Sequence, residues 1–312
     1  MNVDGVARNA LLTALAPAVW GSTYIVTTEW LPPDRPLLAA TMRSLPPGLI
    51  LLGLGRKLPS GTWWWRALAL GVLNIGAFFY LLFVAAYHLP GGVAALVGSI
   101  QPTVVLVLSA VILKQAVRAT HVVSCVVGVV GIGLLVLRPD AALDGVGVLA
   151  GLGGAASMAT GIVLTKLWGR PEGVGILTFT GWQLGVGGVV LLPVMLAAEG
   201  LPGVLTGTNV AGYLYLGGIG ALVAYSIWFR GIGRLPALAV SCLGFVSPLV
   251  ATALGYVVLG QELTPLQVAG AGAVFAAVVL AQPAGGRRHH PPPASEPVGQ
   301  EPVAATRAGL TA

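Results

Sequence analysis

From residue 10 to residue 282 the chain alternates between long apolar runs and short polar interruptions. Within a run the apolar residues are continuous, as in "VVSCVVGVVGIGLLVL" at 122–137. That excludes the strand of a transmembrane barrel, which needs about ten residues of apolar–polar alternation. A helix crossing the hydrocarbon layer takes about 20 apolar residues. The runs predict ten such helices, at 10–30, 36–55, 65–87, 91–113, 120–137, 146–167, 174–197, 210–229, 237–259 and 264–282. The interruptions, among them "LPPDRP", "GRKLPSG", "HLPG" and "GQELTP", are too short to hold further domains.

Composition agrees with this pattern. Of the 312 residues, 56% are hydrophobic and only 8% charged, with a mean hydropathy of +0.90; ordinary soluble domains carry about 25% charged residues. Such a chain cannot furnish a polar shell, so the expected fold is an all-α integral membrane protein in the lipid bilayer. A net charge of +6 and a pI near 9.7 raise the possibility of a nucleic-acid partner. The placement of the charges argues against one. With the N-terminus inside, thirteen Lys and Arg fall at inner helix ends and two, Arg35 and Arg138, at outer ends. Positive residues accumulate on the cytoplasmic side of membrane proteins, which predicts a multi-pass protein of the cytoplasmic membrane with both termini inside. The first run is read as a retained helix rather than a cleaved signal. Residues 284–312, rich in Pro, Gly and Ala, are expected to form a disordered cytoplasmic tail whose Arg287, Arg288, His289 and His290 could touch anionic headgroups. Cys125 and Cys242 have no CxxC partner, so neither a disulfide framework nor a metal site is implied, and no cofactor is expected.

The chain also repeats itself. "LPGGVAALVGSIQPTVVLVLSAVILKQAVRATHVV" (89–123) aligns without gaps on "LPALAVSCLGFVSPLVATALGYVVLGQELTPLQVA" (235–269) at an offset of 146. Leu89 and Pro90 meet Leu235 and Pro236, Pro102 meets Pro248, and Gln115 meets Gln261. Two halves follow, 1–139 and 145–283, of five helices each. An odd number of crossings inserts the second half upside down, and inverted repeats of this kind build transporters with midplane sites. Pro102 and Pro248, well inside their runs, predict helix kinks that either only bend the helix or bare carbonyls to a central cavity. The Gly147/Gly151 and Gly181/Gly185 pairs allow close helix approach. "GLGGAA" at 151–156 lies within a run and lacks the βαβ setting of a dinucleotide loop.

Arg43 is the one charge clearly inside a predicted helix, about 10 Å from its outer end at 1.5 Å per residue. Central placement of Arg costs on the order of 3 kcal/mol, so it must face the bundle or a wet cavity. Two readings stand: a brace paired with Glu29 or with carbonyls freed by a kink, or a donor fork for an anionic or carbonyl-bearing substrate. No Asp or Glu lies mid-helix, which leaves a carboxylate proton relay little to work with and makes facilitated diffusion equally compatible. Polar and aromatic residues within the runs are the candidates for substrate binding: Trp20, Tyr24, Arg43, Asn74, Tyr80, Gln101, Trp182, Gln183, Tyr225 and Ser247, with Ser22, Ser99 and Ser241 beside them. Rings stack on flat solutes, and amides orient them.

The chain resembles the EamA family of the drug/metabolite transporter superfamily over about 1–283. "APAVWGSTY" (16–24), "RPLLAATMR" (35–43), "FTGWQL" (179–184), "AYSIWFRGIGRLPALAVS" (224–241) and "SPLVATALGYVVLGQELTPLQVAGA" (247–271) carry the resemblance. It looks closest to the branch of blue-pigment (indigoidine) exporters. One departure is Ala116, which aligns with Glu262 where the family usually carries an acid in the first repeat as well. The resemblance implies ten helices in a five-plus-five arrangement and the export of a small-molecule metabolite, an amino acid or a flat aromatic. A facilitative, channel-like permease is the alternative. An embedded enzyme is disfavoured, since the runs hold no HExxH, GxSxG or mid-helix acid pair.

Overall fold

A computed structural model describes residues 3–89, 91–136, 144–259 and 264–282. Pro90, Arg138, Gln261, Glu262 and the tail 284–312, each part of an expectation above, lie outside the described residues. Among the described residues every regular element is helical, with no strand. In chain order these are α1 (Gly5–Trp30), α2 (Pro36–Gly55), α3 (Trp63–His88), α4 (Val93–Ile112), α5 (Ala119–Leu135), α6 (Gly145–Trp168), α7 (Ile176–Ala198), α8 (Gly207–Arg234), α9 (Ala237–Leu254) and α10 (Pro265–Ala281). Eight are long and apolar enough to cross a membrane; α5 and α10 are apolar but shorter. Each coincides with a predicted run, although α1 begins at Gly5 rather than 10 and α8 extends to Arg234 rather than 229.

These sequences are rich in Gly and Val, poor helix formers in water. In lipid the balance changes, because unpaired backbone groups have no water to bond and only internal hydrogen bonds satisfy them. The bundle surface is accordingly apolar: Leu149 is 73% exposed and Leu214 70%. The ends are set by polar caps. Asp144 accepts from the Gly147 N–H at 2.9 Å at the start of α6. Capping boxes of Thr206 with Asn209 and Thr264 with Gln267 start α8 and α10.

The helices associate in pairs, α2 along α7, α5 along α10, α3 against α6 and α1 against α8. Small residues permit this. A Cβ on Gly48 of α2 would collide with the backbone of Gly185 of α7, and one on Gly270 of α10 would lie 2.7 Å from the Gly131 carbonyl of α5.

Five helices are irregular near their middles. The first breaks at Gly21–Ser22. Helices α3 and α8 contain π turns at Val72–Gly76 and Gly218–Val223. The fourth stops at Gly98 and restarts at Gln101; the ninth stops at Leu243 and restarts at Val246. Pro102 and Pro248, expected to kink continuous helices, instead follow an interruption of each helix. Each sits in the first turn of a new helical segment, where the missing N–H leaves no intrahelical acceptor stranded.

Candidate functional site

The breaks in α1, α4 and α9 border a cavity of about 120 Å³. The break in α1 presents Trp20, whose indole N–H donates to the Gly220 carbonyl in the π turn of α8 at 2.9 Å. Next to the break, the Ser22 hydroxyl and the Tyr215 hydroxyl lie 2.7 Å apart. A π turn widens the helix and recurs at functional sites; here it lets one carbonyl serve two other helices. The second is α2, whose Arg43 Nη2 donates to the same Gly220 oxygen at 3.4 Å. Trp20 packs in turn on Tyr225 at 4.8 Å and on Trp228 at 5.1 Å between ring centres.

Arg43 is 1% exposed. Its guanidinium carbon lies 4.7 Å from the centre of the Phe79 ring and 5.9 Å from that of Phe83, an arrangement worth about 2 kcal/mol when desolvated. The predicted pairing with Glu29 is not made, because Glu29 is exposed at the end of α1 and reaches only Thr28. The other brace, a carbonyl at an irregular turn, is made once and at long range. Arg43 Nε and Nη1 have no acceptor.

Six of the ten predicted substrate residues line the cavity: Trp20, Tyr24, Arg43, Gln101, Tyr225 and Ser247, joined by Pro102, Pro248, Ser99 and Ser241. The other four lie elsewhere. Asn74 Nδ2 donates to Gln183 Oε1 at 2.7 Å and to Thr165 Oγ1 at 3.1 Å, which ties α3 to α6 and α7, while Asn74 Oδ1 and Gln183 Nε2 have no partner. The Trp182 indole donates to the Lys57 carbonyl at 2.7 Å and packs with Phe179 and Leu70. Tyr80 is 37% exposed on the outer face of α3. Thr23, Phe78, Trp228 and Phe245 are among the further liners that escape the sequence reading. Of these Trp228 was within reach, since it lies three residues after Tyr225 and so on the same helix face.

The cavity is one-sided in charge. Among the described residues Arg43 is its only charged liner, and no Asp or Glu contributes. The restarting segments of α4 and α9 bring Gln101 and Ser247 to its wall from their first turns, and helix starts carry partial positive charge. Buried polar groups are nearly always paired, yet Arg43, Tyr225, Trp228 and Ser241, all lining this cavity, keep polar atoms without a partner. Among the described residues no group of three or more His, Cys, Asp or Glu could hold a metal ion.

The model of the EamA-like transporter family matches residues 8–137 and, a second time, 145–281. The chain belongs to the EamA-like transporter family. Among EamA-like relatives, Protein PecM of Dickeya dadantii is 52% identical over 267 residues, 86% of this chain and 90% of that protein. The uncharacterized inner membrane transporter YedA of Escherichia coli is 31% identical over 270 residues, 84% of this chain and 86% of its own. A protein of Salmonella typhimurium named as a probable amino-acid metabolite efflux pump is 25% identical over 293 residues, 88% of this chain and 94% of its own. A crystal structure of 17% identity superposes with a TM-score of 0.74 over 88% of this chain and 96% of that one, a likeness of fold. The EamA-like chain is a multi-pass membrane protein of a transporter family.

Proposed function

We propose that this EamA-like protein is a secondary transporter that exports small metabolites across the cytoplasmic membrane by alternating access. Its site is the cavity between two inverted five-helix halves, 1–139 and 145–283. The observation that carries this reading is the meeting of two interrupted helices, α4 and α9, one from each half, at a largely apolar cavity whose few polar liners include Arg43, Gln101, Ser241 and Ser247. Interrupted helices at mid-membrane are tolerated where they line a cavity and are the usual seat of a transporter's substrate.

Several observations support the two halves. The π turns of α3 and α8 begin 146 residues apart, at Val72 and Gly218, the same offset as the sequence repeat. Exchanging the halves maps the helix pairs onto themselves: α2–α7 and α5–α10 are self-paired, and α3–α6 becomes α8–α1. The family model fits once to each half. The 17 residues of α10 reach about 26 Å, close to the thickness of the hydrocarbon core, which is consistent with ten crossings.

An aromatic chain fills the bundle on the side where the cationic loops lie. Tyr225 meets Phe229 at 5.7 Å, Phe229 meets Phe179 at 6.2 Å, and Phe179 meets Trp63 at 6.0 Å. In the alternating-access reading this is the closed inner gate.

Counterflow in proteoliposomes tests the proposal, with a panel of amino acids and flat aromatic metabolites as preloaded substrates. The amino acids are included because one relative is named for them. The expected result is saturable exchange, abolished in Gln101→Ala, and no uphill accumulation under an imposed pH gradient, since among the described residues no liner is an acid or a histidine. Non-saturable flux would make the protein a channel instead.

A further inference from the structure

We infer that the proposed site takes flat solutes bearing a carboxylate, docked head-first on Arg43, Tyr225 and Trp228. The inference rests on the transporter reading and names its substrate class.

Two kinds of buried or half-buried cation occur in this bundle, and they differ in how they are held. Lys166 donates to the carbonyls of Ile232 at 3.0 Å and Leu235 at 2.8 Å. Arg35 donates to the carbonyls of Glu199 and Gly200. Both are tied to helix ends, Lys166 through its ammonium and Arg35 through Nη2 alone, and both stay partly open to solvent. Arg43, more deeply buried than either, spends one donor on a 3.4 Å contact and leaves Nε and Nη1 unpartnered. A brace would be expected to show the opposite.

The neighbouring unpartnered atoms fit the same reading. The Trp228 indole N–H can only donate, and the Tyr225 hydroxyl, 0% exposed, can donate. Among the described residues no carboxylate lines the wall to take any of these bonds. A ligand that satisfies them must bring acceptors, and one that also offsets the guanidinium must be anionic. One cation suits a carboxylate better than a phosphate monoester, which carries about −1.5 to −2 at neutral pH. The body of the ligand is specified by the aromatic cluster in which Trp20 packs against Tyr225 with the rings tilted by 44° and edge-to-face against Trp228 at 62°. Aromatic walls of this kind favour a planar group.

The test is calorimetric titration of the purified full-length protein with 2-naphthoate, 2-naphthamide and 2-naphthylmethylamine, which share a ring system and differ in head group. Hydrogen bonds to a charged group contribute about 1.5–3 kcal/mol, so 2-naphthoate should bind roughly 10- to 100-fold tighter than the amine, with the amide between. Arg43→Gln should erase that order. Tyr225→Phe removes one hydroxyl and keeps the ring against Trp20 and Phe79, so it decides the matter even if Arg43→Gln does not fold; it should weaken 2-naphthoate about fivefold and leave the amine unchanged. Equal binding of the three ligands, or an order that survives both substitutions in folded protein, overturns the inference. A carboxylate preference in binding without any counterflow would sink the transporter reading alone. Counterflow of other solutes with no carboxylate preference would sink only this one.

Discussion

Asn74 shows how a polar residue in a membrane helix can be structural. Its amide bridges Gln183 and Thr165, and a Cβ on Gly161 would run into its side-chain oxygen. Replacing Asn74 with Ala leaves Gln183 and Thr165 without that partner inside the protein, a loss of about 1–2 kcal/mol for interhelical bonds in membranes. The expected outcome is a lower thermal midpoint in detergent with an unchanged counterflow KM; a raised KM at unchanged stability would move the amide pair into the transport site. The same residue explains what the sequence conceals. Asn74 and Gln101 look alike as amides within apolar runs, and only the fold reveals that one meets Gln183, 109 positions away, while the other faces a cavity. Arg43 was legible as a buried charge because the cost of placing it in lipid is high. Its missing partner was not, since Glu29 stood one helix away in the sequence and faces outward in the structure.

At the scale of elements, helix positions were legible because lipid imposes one length and one composition on every crossing. The interruptions were not. A proline inside an apolar run announces a disturbed hydrogen-bond ladder, yet Pro102 and Pro248 mark restarts rather than bends, and the π turns carry no proline at all. Which glycines matter was equally hidden among the 45 in the chain. Gly48 and Gly53 lie on the same helix five residues apart. A Cβ on Gly48 strikes the Gly185 backbone, while one on Gly53 meets nothing within 4 Å. Gly48→Ala should therefore separate α2 from α7 and cost about 1–3 kcal/mol, as overpacking does. Gly53→Ala should be neutral or up to about 1 kcal/mol stabilising through helix propensity. Thermal unfolding of the two variants side by side checks the contrast, and equal midpoints would mean that the α2–α7 seam can open to admit a methyl group.

The whole molecule has two distinct ends, tied by different chemistry. At one, Lys57 donates to the Gly173 carbonyl at 3.0 Å, linking the α2–α3 and α6–α7 loops, and Lys166 holds the end of α8. At the other, both Glu199 carboxylate oxygens accept from the first N–H groups of α2, Leu37 at 2.6 Å and Leu38 at 2.9 Å. There Tyr87 also donates to the Pro32 carbonyl at 2.9 Å, and His88 sits 3.3 Å from Asp144. Apart from Arg43, every described Lys and Arg except Arg35 belongs to the first end. Under the proposed function, the asymmetry of positive charge predicts that this end, with the aromatic chain on its side of the cavity, faces the cytoplasm. The native thiols Cys125 and Cys242 are buried, so single engineered cysteines report sidedness against a low background. Ser60→Cys lies in the exposed α2–α3 loop and Gly203→Cys in the exposed α7–α8 loop, where an added side chain meets nothing. A membrane-impermeant maleimide should label Gly203→Cys on intact spheroplasts and Ser60→Cys only after permeabilisation. The reverse pattern would invert the protein in the membrane. The cavity would then be sealed toward the outside, and the direction in which Arg43 meets its solute would be reversed.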